Sequence, residues 1–165
     1  MKKPQVLVVM GSRSDLPAME GCMQMLKEFD IPCVVRILSA HRTPDAVLEL
    51  SSTAQKQGID VIIAAAGGAA HLAGVLASST VLPVIGVPMQ TSGLGGLDSL
   101  LSTVQMPGGV PVATVAVGKA GAKNAAILAA QMIGLKDPAI QEKVAAFKKA
   151  QAEKVLNDSW LEETN

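Results

Sequence analysis

Short apolar runs alternate along this chain with longer segments in which apolar residues recur every three or four positions. Runs of the first kind predict buried strands, and they occupy residues 5–10, 34–38, 61–66, 84–87 and 112–117. The intervening segments have helical periodicity, and Gly58 and Gly134 stand where two of them end. A repeated strand–helix alternation favours a parallel sheet with helices on both faces, because right-handed crossovers leave few other arrangements.

The end of the chain adds helices and no further strand. A segment over residues 120–133 precedes Gly134, and Pro138 opens a charged amphipathic helix that extends to about residue 156. We therefore predict one α/β domain over residues 1–165, a flavodoxin-like three-layer sandwich with a five-stranded parallel sheet. The last helix, about 138–156, is expected to pack on this core or on neighbouring subunits. In this fold the turns after the first three strands meet at one crevice.

Composition excludes several classes of protein. The chain is 49% apolar with mean hydropathy +0.37, which excludes disorder and leaves open a tightly packed monomer or an oligomer that buries apolar surface. Basic and acidic residues number 14 each, so no net positive field favours binding to nucleic acid or an anionic membrane. The apolar run near the amino end is about six residues long, too short for a secretory signal or a membrane span. Cys22 and Cys33 form no CxxC motif, which favours reduced thiols and a cytoplasmic location.

The turn after the second strand carries a hydroxyl, an imidazole and a guanidinium on Ser39, His41 and Arg42. Thr43 is placed to cap the following helix, and Pro44 suits its first turn. Histidine can act as an acid or base near neutral pH, and arginine presents a fork of donors that matches phosphate. The turn alone fits equally an exposed histidine without a role and an arginine paired with a carboxylate.

The turn after the first strand, Gly11–Ser12–Arg13–Ser14–Asp15, also offers ligand-binding groups. The hydroxyls of Ser12 and Ser14 and a helix amino end suit a phosphate, and the Asp15 carboxylate suits sugar hydroxyls. The simpler interpretation is that these side chains cap a helix.

The turn after the third strand is nearly free of bulky side chains. Gly67, Gly68 and Ala69 allow the backbone to approach a ligand and to present N–H groups to a carboxylate or to CO2, with His71 nearby. Close packing of a helix on a strand requires the same small residues, so this alternative stays open. A second glycine-rich connection, residues 93–96, fits either a moving lid or a loop that needs positive φ.

Metal and flavin sites find little support. The two histidines lie far apart along the chain, and neither has a cysteine or carboxylate at a metal-ligand spacing. Two phenylalanines, one tryptophan and no tyrosine leave few rings to stack on a flavin. We expect neither a metal nor an organic cofactor.

Five motifs together resemble those of the PurE family, in the same order and with the same spacing over nearly the whole chain. They read GSRSD at 11–15, SAHRTPD at 39–45, AGGAAHLAG at 66–74, GVPMQ at 86–90 and DSLLSTVQMPGGVPVATVAVGKAGAKNAA at 98–126. The resemblance is to the class I branch of the family, which acts in purine biosynthesis.

The resemblance implies a carboxylate shift that converts N5-carboxyaminoimidazole ribonucleotide to 4-carboxy-5-aminoimidazole ribonucleotide without a cofactor. It assigns acid/base catalysis to His41 and binding of the ribose phosphate end to Ser12, Asp15 and Arg42, assisted by Ser14 and Ser39. It places Gly67, Gly68 and Ala69 around CO2, with His71 as a neighbour. It also implies a homo-octamer whose C-terminal helix packs on other subunits.

Two departures and two alternatives accompany this resemblance. The family usually has proline where this chain has Ala73, and often an aromatic residue where it has Leu16. Class II carboxylases of the family, which use free CO2 and aminoimidazole ribonucleotide, typically carry lysine after the motif histidine, so Arg42 favours the mutase. The residues themselves also fit a nucleotide-binding module without catalysis.

Overall fold

The computed structural model describes residue 3 and residues 5–159. The strands are β1 (Val6–Met10), β2 (Cys33–Ile37), β3 (Val61–Ala66), β4 (Val84–Pro88) and β5 (Ala113–Thr114). The helices are α1 (Leu16–Glu28), α2 (Pro44–Ala54), α3 (Leu72–Ser78), α4 (Leu97–Val104), α5 (Gly118–Gly134) and α6 (Pro138–Asn157), and two short 3-10 turns cover Arg13–Asp15 and Gln55–Gln57.

The five strands form one parallel sheet in the order β2-β1-β3-β4-β5. This order confirms the predicted flavodoxin-like fold, with its switch point between β1 and β3. The register pairs Met10 of β1 with Ile37 of β2 on one side and with Ala65 of β3 on the other. The first three strands therefore end side by side, and the turns that follow them start at the same level.

The interior strand β1 is buried on both faces, as its continuous apolar sequence predicts. Val6, Val8 and Met10 belong to the apolar cluster beneath α1, α5 and α6. Leu7 and Val9 point to the opposite face and belong to the cluster beneath α2 and α3. The two clusters are the two interlayer cores of a three-layer sandwich.

Small side chains let α5 approach its neighbours closely. Its alanines at 122, 125, 126, 129 and 130 are fully buried, and the helix packs on α1. A Cβ at Gly121 would overlap the carbonyl oxygen of Ala116, so glycine is required there. The alanine-rich sequence thus serves close helix packing within one chain.

The first half of α6 packs on the chain's own core. Ile140 and Val144 are buried, and the ring of Phe147 meets that of Phe29 edge to face, with the centroids 5.7 Å apart. Leu156, in the second half, is largely exposed.

The fifth strand is shorter than the sequence pattern predicts. Only Ala113 and Thr114 pair with β4, although the chain stays extended at Val117 before α5 begins. Pro111 has no N–H group to donate, and β5 has a neighbour on one side only, so an apolar run at this edge forms few ladder bonds.

The two cysteines are free. Cys22 lies buried in α1, and Cys33 is half-buried at the start of β2. Burial, with a smaller contribution from Cys33, raises the pKa of the Cys22 thiol to about 12, which keeps it protonated and unreactive near neutral pH.

Candidate active site

A cleft of about 510 Å³ opens at the carboxyl ends of the strands, where the three turns meet. Two residues that follow β4 complete its wall. Its lining consists of Gly11, Ser12, Ser14, Asp15, Ser39, Ala40, His41, Arg42, Ala66, Gly67, Ala69, His71, Leu72, Met89 and Gln90. Nine of the ten residues predicted for the site, all except Gly68, therefore lie around one cavity.

Hydrogen bonds within the first turn form a capping box. The hydroxyl of Ser12 accepts from the backbone N–H of Ser14 at 3.3 Å, and the carboxylate of Asp15 accepts from the backbone N–H of Ser12 at 3.1 Å. The Ser14 hydroxyl donates to the Ser12 hydroxyl at 2.8 Å. The capping interpretation is confirmed, and because the same residues line the cleft, their ligand-binding role stays a prediction.

The carboxyl group of Asp15 is half-buried at the cleft wall. Burial raises the pKa of Asp15, and the hydrogen bond from the Ser12 backbone offsets part of that rise. A carboxylate that has lost solvent and accepts one backbone bond retains lone pairs for further donors. Sugar hydroxyls are donors of the required kind.

The second turn is closed by Thr43, which does not cap α2 as predicted. Its hydroxyl donates to the carbonyl of Ser39 and accepts from the N–H of Ser39, both at 3.0 Å. The same hydroxyl therefore has no hydrogen bond to the N–H groups of the helix. Pro44 occupies the first helical turn as expected. The Ser39 hydroxyl in turn accepts from the backbone N–H of Arg42 at 3.3 Å.

Arg42 connects the second turn to the first. Its Nη2 donates to the carbonyl oxygen of Gly11 at 3.4 Å, and its side chain lines the cleft. Within the described part of the chain no carboxylate forms a salt bridge with it. The guanidinium therefore keeps donors for an anion, which is the arrangement that a phosphate site needs.

His41 and His71 form a pair across the cleft. Nε2 of His41 lies 2.7 Å from Nδ1 of His71, and the rings meet edge to face with their centroids 4.9 Å apart. One of these nitrogens must donate and the other must accept, so the bonded pair holds at most one imidazolium. His71 thereby fixes the orientation of the His41 ring.

If His41 acts as the predicted acid–base, replacing His71 with leucine should lower kcat about tenfold, the factor that corresponds to losing one hydrogen bond that orients the His41 ring. His71→Asn, which can still hydrogen-bond to His41, should lose less. Turnover rates of the two variants, with circular dichroism to verify folding, test this. Equal losses in the two variants would contradict an orienting role.

The small residues of the third turn face two different parts of the structure, the cleft and α4. Gly67 and Ala69 line the cleft, but Gly68 does not. Gly68 has φ of +67°, and its N–H donates at 2.9 Å to the hydroxyl of Ser99, a buried residue of α4. Sequence reasoning assigned no role to Ser99. The sequence signal that could have indicated such a role is a serine placed between the apolar positions of a short predicted helix.

No group of three or more histidine, cysteine or acidic side chains that could hold a metal ion occurs among residues 3 and 5–159. In the same residues no helix combines the length and the apolar character needed to cross a bilayer.

Comparison with known proteins identifies the family. The chain belongs to the AIR carboxylase family, whose model matches residues 5–154. It is 57% identical over 153 residues to the N5-carboxyaminoimidazole ribonucleotide mutase of Thermotoga maritima, covering 93% of this chain and 88% of the relative. It is 54% identical over 154 residues to the mutase of the same name from Pyrococcus horikoshii, covering 93% and 86%.

A solved structure agrees with this placement. The crystal structure of Treponema denticola PurE matches with a TM-score of 0.84 and 30% identity, covering 94% of this chain and 96% of that one. The predicted family and fold are thus confirmed, and the enzyme class predicted from the motifs is the one that the relatives are named for.

Proposed function

We propose that this chain is an N5-carboxyaminoimidazole ribonucleotide mutase in which His41 moves the protons. The observation that carries the proposal is the single cleft that joins the imidazole of His41, the guanidinium of Arg42 and the carboxylate of Asp15. The imidazole can transfer protons, the guanidinium can bind a phosphate, and the carboxylate can accept hydrogen bonds from sugar hydroxyls. Its relatives that are 54% and 57% identical carry this activity in their names.

The reaction balances without a cofactor. The bond between N5 and the carboxylate carbon breaks, its electron pair stays on N5, and CO2 is released in the cleft. C4 of the aminoimidazole, an enamine-like carbon, then attacks CO2 and forms the new carbon–carbon bond. N5 gains one proton and C4 loses one. A single acid–base group that donates a proton to N5 and removes one from C4 returns to its starting protonation state after each cycle. We assign this role to His41.

Binding divides between the two ends of the cleft. Arg42 holds the phosphate, assisted by the hydroxyls of Ser12, Ser14 and Ser39, and Asp15 accepts from the ribose. At the other end, Gly67 and Ala69 enclose CO2 between the backbone and the imidazole pair. Their lack of bulk leaves room for the ring to face CO2 while water is excluded. No metal or organic cofactor has a task in this scheme.

An absorbance assay on metal-free protein tests the proposal. N5-carboxyaminoimidazole ribonucleotide is supplied in one cuvette, and aminoimidazole ribonucleotide with low bicarbonate in another. The mutase converts the first without added CO2. Activity with only the second pair would instead establish the class II carboxylase. Binding without turnover of either substrate would indicate a non-catalytic module.

We also propose that the chain forms an oligomer in the cytoplasm. The family resemblance implies that this oligomer is an octamer. Two apolar surfaces support assembly. One is the exposed edge strand β2, with Val34, Val35 and Ile37; the other, on α4, consists of Leu97, Leu101 and Val104, which are 53%, 49% and 46% exposed. β2 lies at one edge of the sheet, and α4 packs on β4 and β5 at the opposite edge. Two separate interfaces permit a closed assembly larger than a dimer.

Replacing Leu101 with aspartate is expected to reduce the assembly to smaller species, because a charge would be placed in an apolar interface. Val81→Asp, at an exposed position outside both surfaces, is the matched control and should leave the mass unchanged. Light scattering after size-exclusion chromatography measures both. An unchanged mass for Leu101→Asp would exclude α4 from the interface.

A further inference from the structure

Two hydroxyls of α4 hold the peptide groups of Gly68 from both sides. Ser99 Oγ accepts from the Gly68 N–H at 2.9 Å, and Ser102 Oγ donates to the Gly68 carbonyl at 3.3 Å. The N–H of Ala70 donates to the same carbonyl at 2.8 Å. Both peptide groups of Gly68 are therefore occupied by the protein, and its N–H is not a donor for a ligand.

This clamp determines where the adjacent residues face. Gly68 has φ of +67°, a conformation that reverses the chain between Gly67 and Ala69. Gly67 and Ala69 line the cleft, whereas the Gly68 peptide points away from it toward α4. If Gly68 were released, the two residues that contact the cleft would lose their fixed orientation.

The position of Ser99 indicates more than ordinary packing. It is 0% exposed, and a buried hydroxyl is unfavourable unless it is hydrogen-bonded. A Cβ built on Gly67 would lie 3.8 Å from its Oγ, so the hydroxyl also stands beside the part of the turn that borders the cleft. The same atom thus accepts from one residue of the turn and packs near the next.

The start of α4 is fixed independently. The Thr91 hydroxyl donates to the Asp98 carboxylate at 2.7 Å and accepts from the Gly96 N–H at 3.2 Å. These bonds hold the glycine-rich connection of residues 93–96 against the first turn of α4. The two serine hydroxyls therefore project from a helix whose amino end cannot move freely.

We propose that Ser99 and Ser102 are positioning residues that keep the Gly67–Ala69 turn closed over CO2, so that CO2 released from N5 is captured by C4 before it escapes. This inference rests on the proposed mutase function. It concerns one branch point of the reaction. After the N5–carboxylate bond breaks, CO2 either forms the bond to C4 or leaves with free aminoimidazole ribonucleotide as the second product.

The test measures how the substrate partitions. Wild type, Ser99→Ala and Ser102→Ala convert N5-carboxyaminoimidazole ribonucleotide in buffer purged of CO2. Chromatography at early times gives the ratio of aminoimidazole ribonucleotide to the 4-carboxy product, after subtraction of the uncatalysed decarboxylation. We expect each variant to raise this ratio about fivefold, the factor that one ordinary hydrogen bond supplies. A change in stability alone lowers the amount of active enzyme but does not alter the ratio.

Ser51→Ala is the matched control. Ser51 is also a buried serine with hydrogen bonds, to the carbonyl of Val47 and to the Ser79 hydroxyl, but it lies on α2 outside the cleft. Its variant should keep the wild-type ratio. If Ser99→Ala fails to fold, the half-buried Ser102 provides the same measurement.

The outcomes distinguish a failure of the positioning role from a failure of the proposed mutase function. If wild type converts the substrate and the two α4 variants keep its ratio, the positioning role is wrong. An equal rise in Ser51→Ala would overturn it too, because the effect would then be general to the core. If wild type itself forms no 4-carboxy product, the proposed mutase function is wrong. The chromatogram of the wild-type reaction alone distinguishes this outcome from a failure of the positioning role.

Discussion

Replacing His41 with asparagine is expected to lower kcat by about 10² to 10⁴-fold, the usual contribution of a general acid–base. Asparagine keeps a hydrogen-bonding side chain that can meet His71, but it cannot exchange a proton near neutral pH. The contacts that we propose for Arg42 with phosphate and for Asp15 with ribose are not altered, so the affinity for the product nucleotide should stay within a few fold. Turnover by absorbance and affinity by calorimetry measure the two effects.

The His41 result separates an enzyme from a binding module. His71→Asn is the control for the rest of the pair, because it alters the same hydrogen bond and leaves the His41 imidazole in place. Turnover by His41→Asn at a rate near wild type would exclude His41 as the proton carrier. A combined loss of turnover and affinity would indicate that the turn had collapsed.

Replacing Arg42 with methionine should raise KM about 10- to 100-fold with little change in kcat. A hydrogen bond to a charged group contributes about 1.5–3 kcal/mol, and phosphate binding is equally strong in the ground state and the transition state. The arginine also donates to the Gly11 carbonyl at 3.4 Å, so the variant loses one contact between the first two turns. Steady-state kinetics over a range of substrate concentrations measure both constants.

Arg42→Lys is the matched variant because it keeps the charge and loses the planar fork of donors. We expect an intermediate KM. If methionine instead lowers kcat and leaves KM unchanged, Arg42 acts on the reacting atoms and the phosphate must bind elsewhere.

The fold could be predicted because most of its strands are determined by local pattern. The apolar sequences of β1 and β3 are long enough, and sufficiently free of polar residues, to require burial on both faces, which a parallel sheet provides. Pro44 and Asp45 mark the start of α2 in the sequence itself. The sheet order then follows from rules of connection that hold for this class of fold.

The fifth strand was predicted too long because apolar sequence does not reveal how many backbone bonds an edge strand makes. Residues 112–117 have a strand-like composition, yet only Ala113 and Thr114 pair. The Thr43 cap was wrong for a related reason. A helix N-cap and a turn-closing residue have the same sequence signature, and the hydroxyl of Thr43 bonds to Ser39.

The site residues could be predicted by type and by turn, but not their contacts across the cleft. His41 and His71 lie in different turns, and their 2.7 Å hydrogen bond depends on the strand register that aligns Met10 with Ile37 and Ala65. The clamp on Gly68 depends on how α4 packs against the third turn. Such contacts come from tertiary packing, which local pattern does not contain.

The most direct test of the central claim follows the carboxylate carbon. N5-carboxyaminoimidazole ribonucleotide labelled with ¹³C in its carboxylate is converted in unlabelled bicarbonate, and mass spectrometry reads the label in the 4-carboxy product. Transfer within the closed cleft predicts that the product keeps the label. A product that carries unlabelled carbon would mean that CO2 exchanges with solvent before capture, which would contradict the mutase mechanism.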